Sequence, residues 1–334
     1  MISLCLCTHR PRPEILERCL DALRRQSLPR GGLELVVIDN ASPEPLDPAR
    51  LDLDSFPFPA RLIREETLGL TQARLRALRE SRGHLLIFVD DDNLLDPHYA
   101  GEALRFFEAT PSAGAASGRS LGKFQIPPPD WCDPQIRLAL ALRNLAEPAC
   151  RLEGVLAPLG AGLVIRRDAF LHAAQTPFLL TDRRGRDLSS GGDSELGHRL
   201  RLLGWELWYD RALELTHLIP AERLTLPYFE RLHRNFGRAW PILELYWLPD
   251  RPWHRLRHLR RAASLRLRGL HRRLPHPPRS PTEARSHLES HFDLGMAESL
   301  WHLAWGPPLW DLIRPLRNPP LSPAPSPITP TRRA

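Results

Sequence analysis

The first 110 residues alternate short apolar runs with stretches whose apolar residues recur every three or four positions. The runs at 2–7, 33–38 and 85–89 consist mostly of Leu, Ile, Val, Phe and Cys. Such runs are typical of strands buried on both faces, as in a parallel sheet covered by helices. The periodic segments at 15–23 and 70–80 predict helices between them. The alternation therefore predicts right-handed βαβ units and an α/β fold.

Polar residues follow three of these apolar runs where each run ends. Thr8 follows the first run, Asp39 follows the second, and Asp90, Asp91 and Asp92 end the third. The carboxyl ends of parallel strands meet at one edge of a sheet, where ligands bind in open α/β folds. Adjacent carboxylates there need a positive partner. The pattern therefore predicts a site for a divalent cation together with a phosphate-bearing ligand.

The second half of the chain is less regular. Residues 110–155 show no clean period, and we interpret them as an insertion on the acceptor side of the molecule. The Leu-Gly-Ala-Gly-Leu-Val-Ile stretch at 159–165 predicts a strand whose glycines allow a close backbone approach. Short strands are expected at 205–209 and 213–216, followed by a helix with an aromatic face at 228–240.

A further helix is predicted to begin near Gly191, after a polar loop at 181–190. Its leucines repeat every three or four positions from 196 to 203, and Gly204 follows as the stop signal. Asp193 then lies at the helix N-terminus. Aspartate is a favoured N-cap residue, so capping and chemistry stay open as alternative roles for Asp193.

Charge is distributed unevenly along the chain. Residues 1–250 contain 31 Lys and Arg against 34 Asp and Glu (net −3), whereas residues 251–334 contain 15 against 5 (net +10). Residues 251–274 combine nine arginines, and no acid, with leucines about 3.5 residues apart. The leucine stripe either packs on the body of the protein or meets an anionic membrane surface together with the arginines. Nucleic acid is the least favoured partner.

Cysteine usage and hydropathy predict where the protein resides. Its five cysteines form no C-x-x-C pair and fit a reducing cytosol better than export. Cys5 and Cys7 share one face of the first predicted strand, where cysteine behaves as a small buried hydrophobe. No signal peptide is predicted, and no apolar run approaches the roughly 20 residues that span a bilayer. We expect a cytoplasmic protein, or one peripheral on the inner face of the cell membrane.

The order of these motifs resembles that of family 2 glycosyltransferases with the GT-A fold, over residues 1–240. The matching motifs are Thr8-His9-Arg10, Asp39, Gly69 to Arg74, Phe88 to Asp92, Gly192 to Leu196, Gly204-Trp205 and His217 to Pro220. A D-x-D motif is common by itself, but it is specific in this position and order. The resemblance implies an α/β nucleotide-sugar-binding sheet flanked by helices, with a helical C-terminal extension.

The resemblance implies that the donor, a nucleotide diphosphate sugar, binds over the carboxyl edge of the sheet. Asp39 matches the acid that pairs with the base of the nucleotide, and Thr8 and Arg10 match the loop beside that base. Arg74 matches the arginine of the family's Ala-Arg-Asn motif and is expected to contact the nucleotide or its phosphates. Leu75 replaces the asparagine of that motif, which weakens the assignment.

The same resemblance implies a metal site. Asp90 and Asp92 match the D-x-D acids, which hold the ribose and the Mg²⁺ or Mn²⁺ that bridges the diphosphate; oxygen ligands suit either ion. Asp91, between them, either contacts the donor or points away. His217 matches a histidine that reaches the metal or the diphosphate in some relatives, and a structural role is its alternative.

Asp193 matches the base of the family, which would take the proton of the acceptor hydroxyl as that oxygen attacks. The motif is usually Glu-Asp, and Gly192 replaces the Glu in this sequence. Glu195 is therefore the substitute candidate for the catalytic base. The family inverts the anomeric carbon, which is consistent with one base and no enzyme nucleophile.

We expect a GT-A domain with a nucleotide half at 1–110 and an acceptor half at 111–240, then a basic helical extension at 241–314 and a Pro-rich disordered tail at 315–334. The predicted function is inverting, metal-dependent sugar transfer to a hydroxyl of a glycan or lipid-linked acceptor, in surface polysaccharide or exopolysaccharide biosynthesis. The alternative is a catalytically silent subunit that binds nucleotide sugar or glycan. A nucleotidyltransferase is disfavoured because the loop at 8–11 contains no glycine.

Overall fold

The computed structural model describes residues 1–180, 191–247, 254–274, 276–306 and 309–317. Within these ranges, nine strands form one sheet: β1 (Ile2–Thr8), β2 (Leu33–Asn40), β3 (Ala60–Glu65), β4 (Leu85–Asp90), β5 (Asn93–Leu95), β6 (Ala113–Phe124), β7 (Ala149–Arg151), β8 (Leu163–Arg166) and β9 (Glu206–Ile219). The helices are α1 (Pro13–Arg24), α2 (Pro48–Leu51), α3 (Leu70–Glu80), α4 (Tyr99–Ala109), α5 (Pro134–Arg137), α6 (Arg167–Ala173), α7 (Gly192–Leu202), α8 (Leu226–Glu244), α9 (His254–Arg272), α10 (Pro281–Trp305) and α11 (Trp310–Arg317).

The strand order of the sheet is β3, β2, β1, β4, β8, β6, β9 and β5, and β7 pairs with β9. The first four strands in this order are mutually parallel. β8 is antiparallel to both of its neighbours, β4 and β6. The result is a mixed sheet with a helical C-terminal region, which confirms the predicted α/β fold class.

Side chains alternate between the two faces along each strand, so these apolar strands present apolar residues on both faces of the sheet. Helices cover both faces. Leu4 and Leu6 of β1 pack towards α1 and α4. Cys5 and Cys7 point to the opposite face, towards α3, α6 and α7. Both cysteines are buried, as predicted, and all five cysteines of the chain are free thiols.

The stretch at 110–155 is not the insertion that its composition suggested. Ala113–Phe124 is β6, which lies inside the sheet between β8 and β9. Its small residues are required by close neighbours, since a Cβ atom on Gly118 would lie 2.0 Å from the backbone oxygen of Leu213. Glycine and alanine therefore replace the bulky apolar residues expected of a central strand.

The region after β6 also differs from the prediction. The two short strands expected at 205–209 and 213–216 are one 14-residue strand, β9. An irregularity in its pairing with β6 lies between them and absorbs the turn-like residues at 210–213. The strand predicted at 159–165 begins only at Leu163, and the residues before it form a loop.

Two glycines bring α8 and α10 into close contact. A Cβ atom on Gly237 would lie 2.0 Å from the oxygen of Phe292, and one on Gly295 would lie 2.0 Å from the oxygen of Arg234. α8 begins at residue 226, inside the predicted acceptor half, but it packs on α10, which belongs to the predicted helical extension. The division of the chain at residue 240 stays a prediction.

Only part of the leucine stripe of α9 packs on the body of the protein, since Leu259 and Leu274 are half-buried and the other leucines of the stripe are exposed. The face of α9 that packs on α10 includes Ala262, Leu265 and Gly269. Leu267 and Leu270 lie on the other side of the helix and are 70% and 53% exposed. Packing of the stripe, one of the two alternatives for residues 251–274, is therefore wrong for these leucines.

Some predictions concern residues whose structure is not described. The polar loop at 181–190 and residues 318–334 of the predicted tail lie outside the described ranges. Pro315 to Arg317, which were expected to be disordered, belong to α11. None of the helices in the described part of the chain combines the length and the hydropathy needed to cross a bilayer.

Candidate active site

The sheet register brings the predicted polar residues to one edge. Thr8 is paired with Asp39 across β1 and β2, and Cys7 is paired with Asp90 across β1 and β4. The strand ends are therefore level, and their side chains line the carboxyl edge where ligands bind in such sheets. The sequence-based prediction that these clusters meet at one edge is confirmed.

A second pairing adds His217 to this edge. The chain turns after Asp90 into the short strand β5, in which Asn93 is paired with His217 of β9. The backbone oxygen of Asp92 accepts a hydrogen bond of 2.9 Å from the amide of Leu218. β9 therefore holds His217 directly beside the three acids.

Asp91 does not point away into solvent. Its carboxylate accepts a short hydrogen bond from the hydroxyl of Thr8 at the end of β1. Burial, and then the neighbouring Asp92 carboxylate, raise the pKa of Asp91 to about 7. Thr8 thus contacts the acid cluster, and Asp91 links the ends of β1 and β4.

Asp92 carries the strongest electrostatic contacts of the cluster. Its Oδ2 lies 2.9 Å from Nη1 of Arg223 and 3.4 Å from Nε2 of His217. Nη1 of Arg223 also lies 3.2 Å from Nε2 of His217. An arginine can only donate, so Nε2 accepts this hydrogen bond and the ring proton belongs on Nδ1.

These residues fit a divalent cation. The carboxylates of Asp90 and Asp92 and the lone pair of His217 Nε2 form a donor set that Mn²⁺ or Mg²⁺ accepts. Nδ1 of His217 is buried, and no hydrogen-bond partner reaches it among the described residues. Nε2 faces Asp92 and Arg223, and its lone pair is the one that would bind a metal ion.

Asp39 lies at the neighbouring end of β2 and is almost fully buried. Its carboxylate accepts hydrogen bonds from the amides of Ser42 and Leu46 and forms a 2.8 Å ion pair with Arg64. The hydroxyl of Ser42 in turn accepts a hydrogen bond from the amide of Arg10. The loops after β1 and β2 are thus joined around Asp39.

Asp193 is not the N-cap of α7. Gly191 occupies that position with a φ of 106°, and Asp193 lies in the first turn. Its Oδ1 accepts a 2.8 Å hydrogen bond from the amide of Ser194, and its Oδ2 accepts a 2.9 Å bond from the amide of Gly160. Asp193 therefore does not occupy the N-cap position, but one of its oxygens binds a first-turn amide of α7 and the other is directed towards the loop before β8.

That loop brings Asp193 to Arg74. A Cβ atom on Gly160 would lie 2.5 Å from Nη2 of Arg74 and 3.3 Å from Oδ2 of Asp193. The guanidinium of Arg74 also stacks over the ring of Phe88, 5.7 Å from its centroid, in the strand that ends in the acids. Arg74 therefore lies beside the strand that ends in the acids and meets Asp193 at Gly160, where the missing side chain leaves room for both.

Glu195, the substitute candidate for the base, is fully buried. It forms a 2.8 Å ion pair with Arg199 and accepts hydrogen bonds from the amides of Leu179 and Leu180 and from the hydroxyl of Tyr246. These contacts engage both oxygens of the carboxylate, and its burial keeps it away from a bound acceptor. The structure indicates a positioning role for Glu195, which fixes α7 and the segment before residue 181.

The close approach expected of the glycines at 159–165 is found at Gly160, but sequence reasoning missed Arg223 and Arg64. Each owes its place to a contact between segments that are far apart in the chain, and no local motif surrounds them. Lys123 is the only lysine among the 46 Lys and Arg residues of the chain. This excess of arginine was the available signal, because arginine is the residue that suits buried ion pairs and phosphate contacts.

Comparison with protein families is consistent with this geometry. The model of glycosyl transferase family 2 matches residues 3–170, which is half of the 334-residue chain. The matched region contains the acid cluster, Asp39 and Arg74. Asp193, His217 and Arg223 lie after it.

Individual relatives match shorter parts of the chain. The glycosyltransferase EpsH of Bacillus subtilis (strain 168) is 23% identical over 90 residues, which cover 27% of this chain and 26% of EpsH. An uncharacterized glycosyltransferase of Haemophilus influenzae (strain ATCC 51907 / DSM 11121 / KW20 / Rd) is 28% identical over 114 residues, which cover 34% of this chain and 36% of that protein. The chain thus spans between about a quarter and about a third of the length of these curated relatives. Among solved structures, that of S. aureus TarS has a TM-score of 0.49 at 12% identity, covering 91% of this chain and 54% of TarS.

Proposed function

Because the chain belongs to glycosyl transferase family 2, we propose that it transfers a sugar from a nucleoside diphosphate sugar to a hydroxyl of a glycan or lipid-linked acceptor. The observation that carries the proposal is the level row of Thr8, Asp39 and Asp90 at the carboxyl edge of the sheet, with Asp193 beyond it. Members of this family use nucleotide-sugar donors, generally with a divalent metal ion. The proposed process is surface polysaccharide or exopolysaccharide biosynthesis.

The residues divide into a donor side and an acceptor side. We assign Asp39, with Thr8 and Arg10, to the nucleoside end of the donor. Asp90, Asp92 and His217 would hold Mg²⁺ or Mn²⁺, which neutralises the charge that develops on the leaving diphosphate.

On the acceptor side, Asp193 takes the proton of the acceptor hydroxyl while that oxygen forms the new bond to the anomeric carbon. The bond from the anomeric carbon to the diphosphate oxygen breaks in the same displacement. Glu195 is engaged with Arg199, and we assign no covalent role to any side chain of the site, so a single displacement inverts the anomeric configuration.

Donor turnover tests this proposal. Purified full-length protein is incubated with a panel of nucleotide sugars and Mn²⁺, and release of the nucleoside diphosphate is measured for the wild type and for Asp92→Asn. We expect turnover of one donor by the wild type and a loss of at least about a hundredfold in the variant, because a ligand of the charge-neutralising cation is removed. Failure of every nucleoside diphosphate to bind would refute the proposal, and binding without turnover would indicate the silent subunit instead.

We also propose that α9 attaches the protein to an anionic membrane surface. Successive residues of a helix are about 100° apart, so Leu256, Leu267 and Leu270 lie opposite the face that packs on α10. They are 52%, 70% and 53% exposed. Exposed arginines flank this stripe on both sides, namely Arg260 on one and Arg266 on the other. Leucines between arginines are the composition of an interfacial amphipathic helix, and an anionic surface is its electrostatic complement.

Vesicle sedimentation tests this attachment. The double variant Leu267→Gln with Leu270→Gln is compared with Leu28→Gln with Leu171→Gln, which removes two leucines that are 57% and 46% exposed elsewhere. Because a buried leucine contributes about 1.5–3 kcal/mol, the α9 variant should bind phosphatidylglycerol vesicles at least about tenfold more weakly. The control variant should bind like the wild type. Equal binding of all three proteins, or equal binding to pure phosphatidylcholine, would exclude α9 as the attachment site.

A further inference from the structure

Arg223 occupies the position that the site offers to a cation. Its Nη1 lies 2.9 Å from Oδ2 of Asp92 and 3.2 Å from Nε2 of His217, the two atoms best placed to ligate a metal. One positively charged group therefore contacts both donors at once. A divalent cation bound by the same two atoms would have to displace the guanidinium.

The backbone keeps Arg223 at the site after such a displacement. Arg223 belongs to a short 3₁₀ helix, Ala221–Leu224, directly before α8. Leu224 is buried in a cluster with Phe229 of α8 and Leu288 of α10. The preceding residue, Glu222, forms an ion pair with Arg12 in the loop after β1. Leu224 therefore anchors the backbone of the segment, and displacement of the guanidinium requires only that the side chain of Arg223 turns.

A displaced guanidinium would need another anion. The side chain of Arg223 is only 20% exposed, and an unpaired charge at such a depth is costly. The diphosphate of the donor lies at the same edge in the proposed function. The planar guanidinium binds two phosphate oxygens at once, which lysine cannot do.

We propose that Arg223 is the resident counter-ion of Asp92 and His217, and that it turns to the donor diphosphate once these two residues are engaged by a divalent cation. Arg223 then adds positive charge to the leaving group from the C-terminal side of the site. This inference rests on the proposed function, since it requires a nucleoside diphosphate at the sheet edge.

The test measures two affinities that move in opposite directions. Full-length wild type, Arg223→Gln and Arg223→Lys are titrated with MnCl₂ alone, and with UDP, GDP, CDP, ADP and dTDP at saturating Mn²⁺, by calorimetry. Arg231→Gln is the matched control, because Arg231 is an exposed arginine in the first turns of α8. A thermal scan of each variant shows that it is folded.

For Arg223→Gln we expect Mn²⁺ alone to bind about tenfold more tightly, because a competing positive charge is removed. We expect the nucleoside diphosphate to bind about tenfold more weakly, because a charge-assisted contact is lost. Arg223→Lys should keep the wild-type Mn²⁺ affinity and lose most of the diphosphate affinity, and Arg231→Gln should match the wild type in both.

A merely structural role of Arg223 would weaken both ligands in parallel, and that result would overturn the inference. An unchanged affinity of Arg223→Gln for either ligand would overturn it as well. If the wild type and Arg231→Gln bind none of the five nucleoside diphosphates, the proposed function itself fails and the inference falls with it. The two failures are therefore distinguishable.

Discussion

Replacing Asp193 by Asn should remove the catalytic base and leave the protein folded. The carboxylate accepts two backbone hydrogen bonds, of 2.8 Å from Ser194 and 2.9 Å from Gly160. The amide oxygen of Asn can keep only one of them. The expected loss of stability is about 0.5–1.5 kcal/mol for the hydrogen bond plus about 0.3–1 kcal/mol for the charge at the helix N-terminus. Against the typical 5–15 kcal/mol of a folded protein, this loss is tolerable.

The kinetic effect should be much larger. Loss of a positioned general base lowers the rate by about 10²- to 10⁴-fold. At about 1.36 kcal/mol for each factor of ten, the barrier rises by about 3–5 kcal/mol. The measurement is kcat for nucleoside diphosphate release at saturating donor and acceptor, together with the affinity for the nucleoside diphosphate. Only kcat should change, because Asp193 lies on the acceptor side.

Asp168→Asn is the matched control for this experiment. Asp168 also lies in the first turn of a helix, and its Oδ1 accepts a 2.8 Å hydrogen bond from the amide of the next residue, Ala169. The helix-terminal charge is therefore lost in both variants, whereas the base is lost in only one. If the kcat of Asp193→Asn is within about tenfold of that of Asp168→Asn, the loss is smaller than removal of a general base produces. That result would refute the assignment.

Three further predictions concern packing and ionisation. Gly160→Ala should lower kcat by about tenfold or more, because the added Cβ atom displaces the guanidinium of Arg74 from the site. Its Tm should change little. The two effects are measured by nucleoside diphosphate release and by a thermal scan. Glu195→Gln should cost about 3–5 kcal/mol in urea unfolding, because it leaves the fully buried Arg199 without its counter-charge. Burial lowers the pKa of His291 to about 4, below its unfolded value of about 6.5, so the stability it contributes is present above pH ~6.5 and is lost as the pH falls towards 4. The urea concentration at the unfolding midpoint should therefore decrease as the pH is lowered from 7 to 5, and it should decrease by less in His291→Gln.

The donor edge of the site could be predicted because its residues follow directly on apolar strands. A strand buried on both faces reads as an apolar run, and the first polar residue after it marks the sheet edge. No further information was needed to place Thr8, Asp39 and Asp90 at this edge, because the ends of parallel strands of similar length align. The strand order and the register that confirm this row are set by the whole fold.

The remaining features depend on contacts that hydropathy does not encode. β6 was missed because its glycines and alanines fit against a bulky neighbouring strand, so the apolar period disappears in the most buried part of the acceptor half. Glu195 is the substitute candidate for the base because Gly192 replaces the Glu of the family's Glu-Asp motif, and the sequence does not show that Glu195 is fully buried. Its buried partner Arg199 is one helical turn away, but only the fold shows that both are enclosed. Arg223 approaches Asp92 across more than a hundred residues of sequence, through the pairing of β5 with β9.

The helix α9 shows how a periodic pattern predicts a helix but not its orientation. The leucines of residues 251–274 recur with a period of about 3.5, which correctly predicts an amphipathic helix. The contact with α10 is made instead by a face that includes Ala262, Leu265 and Gly269. The helices approach closely at Gly269, where a Cβ atom would lie 3.0 Å from the oxygen of Ser290. Leu256, Leu267 and Leu270 lie outside this face and are exposed. The orientation of the exposed leucines therefore had to come from the structure, and the membrane attachment proposed for α9 depends on it.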